Sequence, residues 1–176
     1  KVTGWKRIDG KCYYFSRANG AMYRNKLRKS ATSLFFLDKN GVRVSNQFVT
    51  QSGKKYYFST SNGSMATGLK TIDGKKYYFD ENGYMATGYQ EIDGTGYYFL
   101  NNGKQSTKTV HDSSDGVYYV IEKGSHAVTD IVEESEWWAY KKDADRDSDD
   151  LSNVVTTDGT EQKTGTTGSL QKLTDA

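Results

Sequence analysis

An aromatic triplet that returns about every 20 to 22 residues constrains this chain more than any other feature. The copies are Tyr13-Tyr14-Phe15, Phe35-Phe36-Leu37, Tyr56-Tyr57-Phe58, Tyr77-Tyr78-Phe79, Tyr97-Tyr98-Phe99 and Tyr118-Tyr119-Val120. Each is followed by a glycine turn: Asn19-Gly20, Asn40-Gly41, Asn62-Gly63, Asn82-Gly83, Asn102-Gly103 and the weaker Lys123-Gly124. Most are also preceded by one, at Asp9-Gly10, Ser52-Gly53, Asp73-Gly74, Asp93-Gly94 and Asp115-Gly116. Asn-Gly and Asp-Gly take successive positive φ values readily and close type I′ hairpin turns. Punctuation this dense nearly excludes helix. A lone hairpin of this size is marginal in water, so the expected fold is all-β: a β-solenoid of stacked short β-hairpin repeats of about 20 residues.

Composition agrees. Aromatic residues make up 14% of the chain, Tyr dominating, Pro is absent, and mean hydropathy is −0.82. A chain so polar yet so aromatic lacks the material for one thick aliphatic core and is expected to order itself through many small ring contacts. The net charge of +2, from 24 basic and 22 acidic residues, supplies no global field toward nucleic acid or an anionic membrane. No apolar run approaches the length of a membrane span, so membrane insertion is not expected. The single cysteine, Cys12, allows no internal disulfide and reads as a small buried apolar residue.

The repeat array is expected over residues 1–130, with a degenerate terminal repeat over 131–142 in which Trp137-Trp138-Ala139-Tyr140 forms a seventh aromatic strand. Residues 143–176, acidic and then rich in Thr and Gly, read as a tail or linker. The chain opens in mid-repeat at Lys1-Val2-Thr3-Gly4-Trp5, which leads us to expect further repeats upstream. Thr-Gly precedes an apolar residue at Trp5, Leu69 and Tyr89, and its glycine is expected to let backbones approach where hairpins meet.

Written out, residues 68 to 88, Gly-Leu-Lys-Thr-Ile-Asp-Gly-Lys-Lys-Tyr-Tyr-Phe-Asp-Glu-Asn-Gly-Tyr-Met-Ala-Thr-Gly, resemble the cell-wall-binding repeats of Gram-positive surface proteins. That family includes choline-binding modules of autolysins, glucan-binding domains of glucansucrases and repeats of clostridial toxins. The resemblance covers about residues 1 to 130. It implies a β-solenoid with ligand pockets between hairpins, in a secreted or wall-associated protein, binding a glucan, wall polymer or host glycan without catalysis and without a cofactor.

The ligand class follows from the rings present. A quaternary ammonium needs several aromatic walls together. The choline-binding pattern that this family resembles, Gly-Trp followed by Trp-Tyr-Tyr, is met only at Trp5, and the residues ahead of the aromatic pairs are Cys12, Leu34, Lys55, Lys76, Gly96 and Val117. A choline/teichoic-acid-binding module is therefore the alternative, with choline held through Trp5 and Tyr14. A sugar needs one ring for its apolar face and a few polar groups. The candidates are Trp5, Tyr14, Tyr57, Lys76, Tyr78, Tyr89, Gln90 and Tyr98, with Tyr89-Gln90 in the best-preserved stretch. A structural spacer that binds nothing is the rival reading.

Other residues read as structural. Met65 and Met85 are expected to fill gaps, and His111 and His126 to lie on the surface of degenerate repeats. The run Asp143, Asp145, Asp147, Asp149 and Asp150 spaces its carboxylates like a calcium loop but lacks the central Gly and final Glu, so it reads as solvated charge. No paired carboxylates, phosphate loop or nucleophile elbow mark an enzyme, and any catalytic domain is expected outside this chain.

Overall fold

A computed structural model describes residues 1–59, 61–142 and 153–162. It is all-β apart from one short helix. The chain divides into two compact units: residues 1–72 with 78–85, and residues 73–77 with 86–176.

Unit one contains β1 (Gly4–Ile8), β2 (Lys11–Phe15), β3 (Lys26–Lys29), β4 (Leu34–Leu37), β5 (Gln47–Gln51), β6 (Lys54–Phe58) and β7 (Gly68–Ile72), and β8 (Lys75–Phe79) straddles the division. β1 pairs with β2, β3 with β4 and β5 with β6, each antiparallel, with Trp5 opposite Tyr14, Leu27 opposite Phe36 and Phe48 opposite Tyr57. At Asp9-Gly10 both residues have positive φ (47° and 76°), as they do at Ser52-Gly53, so the expected I′ turns form there.

The Asn-Gly turns that follow the triplets are a different device. Only their glycines are left-handed, and the loop N–H groups are taken up by side chains. Asp38 Oδ1 accepts from Asn40 N and Val42 N at 2.8 Å each, and Asp80 Oδ1 from Tyr84 N at 2.7 Å. The Thr-Gly glycines also act otherwise than expected. A Cβ at Gly4, Gly68 or Gly88 would meet nothing within 4 Å, so backbone approach is not their purpose. They turn the chain into the strand through a positive φ, and Asn25 and Asn46 do the same in the diverged repeats at φ 47° and 52°.

A backbone hydrogen bond recurs from one hairpin to the next. The residue returning from each turn donates to the carbonyl that precedes an earlier aromatic pair: Arg43 N to Cys12 O (2.7 Å), Met65 N to Leu34 O (2.8 Å) and Met85 N to Lys55 O (2.8 Å) in unit one, and Gln105 N to Lys76 O (2.8 Å) in unit two. Beneath this staple the triplets form the core, with Phe36, Val44, Tyr56 and Phe58 buried together and Met65 packed on them. Cys12 is half-buried, more open than expected.

Unit two builds one seven-stranded sheet from β9 (Gly88–Ile92), β10 (Thr95–Phe99), β11 (Val110–Asp112), β12 (Val117–Ile121), β13 (Val128–Glu133), β14 (Val154–Thr156) and β15 (Glu161–Gln162). The order is β15-β14-β11-β12-β13-β10-β9, with β11 and β14 parallel and the other pairs antiparallel. Its core mixes Tyr98 and Tyr119 with Val110, Val117, Ile121 and Val155. Part of the expected tail is thus structural, because Val154 and Val155 are buried in this sheet. Residues 143–152 and 163–176 lie outside the described residues, and with them the run of alternating carboxylates.

The expected seventh strand is a helix, α1 (Trp137–Lys142). A three-residue spacing puts Trp137 and Tyr140 on one helical face, where their rings stack 5.7 Å apart, and Trp137 lies on Tyr118 at 4.0 Å and 4°. Lys141 and Lys142 occupy the last turn, where positive charge suits the helix dipole. His111 is not on the surface as expected: its ring stacks on Tyr118 at 4.3 Å, and its Nε2 lies 3.6 Å from Glu134 Oε2.

Candidate ligand-binding site

In most of the described hairpins the second and third triplet residues pack inward, Phe15 and Tyr78 being only half-buried, so the open rings come from elsewhere. Tyr14, Phe36, Tyr57 and Tyr98 are all buried, and Leu37, Phe58, Phe79 and Phe99 are fully so. The exposed ring belongs to the cross-strand partner of the second aromatic. Trp5 faces Tyr14 and Tyr89 faces Tyr98, and each is 37% exposed with its ring braced from below. The positive-φ glycine one residue earlier sets the start of each strand and so the place of this ring.

In unit one, Trp5 packs edge to face on Tyr14 and on Phe35, both at 5.2 Å. Two guanidiniums line this corner. Arg43 lies 5.7 Å from the ring centres of both Trp5 and Phe35, and Arg28 sits 4.4 Å over Tyr14 while its Nη2 donates to the Tyr14 hydroxyl at 3.0 Å. A cation so placed is attracted by the ring quadrupole. An open groove of about 340 Å³ in the same unit is lined by Lys29, Ser30, Thr32, Ser33 and Asn82, among others.

In unit two, Tyr89 stacks on Tyr119 at 5.5 Å and 17°, and Tyr119 on Tyr98 at 4.8 Å. Gly96 makes the first contact possible, since a Cβ there would lie 2.7 Å from the Tyr89 ring. Carboxylates hold the inner rings. The Tyr98 hydroxyl donates to Asp112 Oδ2 at 2.6 Å, and the Tyr119 hydroxyl to Asp115 Oδ2 at 3.2 Å. Burial, then the bond to Asp112, drives the Tyr98 phenol far above its ordinary range, and burial with Asp115 pushes Tyr119 up to about 12. Burial alone would raise Asp112, but hydrogen bonds from Ser114 and Tyr98 outweigh it and the carboxyl falls below its usual value.

The expected site residues therefore separate. Trp5 and Tyr89 offer open faces. Gln90, half-buried beside Tyr89, donates its Nε2 to Thr87 O at 3.2 Å, so its amide is partly engaged. Lys76 is exposed and Tyr78 half-buried, and they fall in different units. Tyr14, Tyr57 and Tyr98 are core. Tyr57 donates to Asn46 Oδ1 at 2.6 Å, and Tyr98 is 2% exposed, so neither presents a face to a sugar.

The sequence reading missed Phe35, Arg28 and Arg43 in unit one and Gly96 and Tyr119 in unit two. One signal for the first group was available, because the overall charge conceals a division. Residues 1–59 carry 13 Lys and Arg against Asp9 and Asp38 alone, while the rest of the chain carries 11 against 20.

Comparison with known proteins agrees with the resemblance read from the turns. The chain matches the choline-binding repeat family over residues 2–48 and 66–109, more than half its length, and a cell wall binding repeat family over residues 46–65. It belongs to the choline-binding repeat family. Among solved structures, CbpJ from Streptococcus pneumoniae is 26% identical with a TM-score of 0.63, over 73% of this chain and 42% of that one. Choline binding protein F from the same organism, solved in the presence of a tetrasaccharide-pentapeptide peptidoglycan analogue, is 30% identical with a TM-score of 0.61, over 73% and 45%. The pneumococcal cell wall endolysin of phage Cp-1, complexed with choline, is 25% identical with a TM-score of 0.51, over 74% and 38%. The chain thus spans under half the length of these relatives. No curated protein matches it. Among the described residues no helix is long and apolar enough to cross a membrane, and no group of three or more His, Cys, Asp and Glu is placed to hold a metal ion.

Proposed function

We propose that this chain is a non-catalytic anchoring module that binds the carbohydrate of a cell-wall polymer, outside the cell, for a longer surface or secreted protein. The observation that carries this reading is the repetition of one device: an exposed ring opposite the second triplet aromatic, at Trp5 in unit one and at Tyr89 in unit two, each braced by another ring. A braced ring suits the apolar face of a pyranose, and Gln90 offers polar atoms beside one of them. Within unit one, the recurring staple from Arg43 N, Met65 N and Met85 N supports hairpins stacked as a β-solenoid, and a module with more than one such ring suits a ligand of repeating sugars. The family match and the peptidoglycan analogue named for choline binding protein F support the wall as the source of the ligand.

Calorimetric titration of the full chain with wall-derived oligosaccharides tests this. Trp5→Ala and Tyr89→Ala are each expected to cost about 1–3 kcal/mol of affinity, the range measured when a stacking ring is removed beneath a nucleobase. Loss of thermal stability with unchanged affinity would make both rings structural and favour a spacer. Choline is the second reading, favoured by the three rings of Trp5, Tyr14 and Phe35, but there the place for a cation over Trp5 and Phe35 is held by Arg43.

A further inference from the structure

The β3–β4 hairpin departs from the repeat at its tip. The hairpins of β1–β2, β5–β6, β7–β8 and β9–β10 turn on Asp-Gly or Ser-Gly with both residues at positive φ, whereas β3–β4 turns on Ala31-Thr32, neither of which is left-handed. A β-branched residue such as Thr32 resists that region, and turns of the unprimed kind splay the strands they join. The ladder accordingly stops at Lys29 opposite Leu34, one pair short of those of β1–β2 and β5–β6. Ser30 closes the tip instead. Its N–H donates to Ser33 O at 2.7 Å, and its Oγ accepts from Ser33 N at 3.2 Å.

This splayed tip and the loop after β8, both in unit one, line the open groove of about 340 Å³, to which the half-buried Leu34 and Met65 add an apolar wall. Its polar groups are uncommitted. In three other loops an asparagine carboxamide closes the turn, Asn19 Oδ1 accepting from Ala21 N, Asn62 Oδ1 from Ser64 N and Asn102 Oδ1 from Lys104 N. After β8 it is Asp80 that accepts, from Tyr84 N, which leaves the Asn82 carboxamide to the groove. Lys29 and Glu81 bring opposite charges to the same groove from different hairpins, yet among the described residues they make no ion pair with each other.

We infer that this groove is a separate binding site that takes a short peptide with free amino and carboxyl groups, its carboxylate on Lys29, its primary ammonium on Glu81 and the Asn82 carbonyl. The Thr32 hydroxyl is then placed for a peptide group between them. Two opposite charges held apart select a zwitterion, because a ligand with only one charge leaves the other unanswered. The volume lies at the small end of ligand pockets, so it admits a few residues and no folded partner. A quaternary ammonium wants aromatic walls and has no N–H for Glu81, and no ring is among the lining residues. A neutral sugar would use neither charge. The site does not rest on the reading of Trp5 and Tyr89 as sugar platforms.

The test titrates the full chain with trialanine while backbone amide and methionine methyl NMR signals are followed. N-acetyl-trialanine, trialanine amide, the doubly capped peptide, choline and maltose serve as comparators. Free trialanine is expected to move the signals of residues 30–33, Asn82 and Met65. Each single cap should weaken binding by about three- to tenfold, the loss of one charge-assisted contact at a solvent-open site. Glu81→Gln should cost free trialanine as much and the N-acetylated peptide nothing more, and Lys29→Gln should do the same against the peptide amide. Lys104→Gln, which removes a charge from an exposed position in unit two, should change the affinity less than about twofold. A change of structure alone would not pair each variant with one cap, and the caps probe the assignment without altering the protein. Equal binding of the doubly capped peptide, stronger movement of the same signals by choline or maltose, variants that do not track the caps, or no movement of those signals each overturns the inference. Binding of wall oligosaccharide at Trp5 and Tyr89 is scored separately, so the anchoring reading and the peptide site stand or fall independently.

Discussion

The two units place an open ring in the same way and surround it with opposite charge. At Trp5 the neighbours are guanidiniums, Arg28 and Arg43, whereas behind Tyr89 the inner phenols of Tyr98 and Tyr119 are held by Asp112 and Asp115. Strand register and a positive-φ residue place the ring, and neither depends on what lies around it. The hairpin repeat is thus a holder whose local chemistry varies freely, and likeness of fold within such a family does not carry likeness of ligand.

The largest expected effect breaks the comparison on the acidic side. Tyr98→Phe leaves the Asp112 carboxylate buried without one of its donors and should cost unit two about 1–3 kcal/mol at neutral pH. The pH profile supplies the specific signature. Because the folded-state value of Asp112 lies below its ordinary 3.8, its contribution is present above that pH and is lost as pH falls through the lower folded value. Tyr98 and Tyr119 are raised, so their contribution is whole below pH 10, the ordinary phenol value, and is lost as pH rises beyond it. Hydrogen exchange followed peptide by peptide should show β10 to β12 losing protection at both extremes. In Tyr98→Phe the acid loss should begin at higher pH. Unchanged protection in the variant would show that the pair adds nothing to the fold.

The hairpins were legible because turn chemistry is local: Asp9-Gly10 or Ser52-Gly53 needs no partner elsewhere to declare itself. Burial was not, since which face of a triplet packs depends on what a distant segment brings. Tyr98 is core because Asp112 waits fourteen residues on, and Val154 and Val155 are core because β11 offers them a parallel edge. The helix at Trp137 escaped for the same reason. Two adjacent tryptophans suit a strand equally well until Tyr118 supplies a ring for one of them. The position after Thr-Gly singled out Trp5 and Tyr89, whose rings are exposed, but the guanidiniums of Arg28 and Arg43 reach the corner from other hairpins, and no local pattern reports that.

A smaller effect sharpens the comparison from the side of unit two. Gly96 has no left-handed φ, so alanine suits its backbone, but the added Cβ would fall 2.7 Å from the Tyr89 ring. Gly96→Ala should therefore lift that ring from Tyr119 and weaken binding of wall oligosaccharide at Tyr89 by roughly three- to tenfold, about the worth of one aromatic pair. Binding at Trp5 should be untouched. Chemical-shift perturbation, residue by residue, separates the two, and equal loss at both rings would point to general unfolding instead.

The smallest stability change belongs to Arg43, and it asks whether a side chain of the protein stands where a ligand cation would. A cation over an exposed ring contributes about 0.5–1 kcal/mol, so Arg43→Gln should lower the melting temperature only slightly. The backbone there is held independently, by Arg43 N on Cys12 O and by the bridge to Leu37, so the hairpin keeps its place. What changes is the corner, where Trp5, Phe35 and Tyr14 remain at their spacing while the guanidinium nearest Trp5 and Phe35 is gone. Glutamine is neutral and cannot replace that contact. Tetramethylammonium, titrated while the indole N–H signal of Trp5 is followed, should leave the native protein unmoved and shift the signal in Arg43→Gln. A native protein that already responds at the same concentration would show the corner open to quaternary ammonium, and its charge would then have to be read as tolerating choline instead of displacing it.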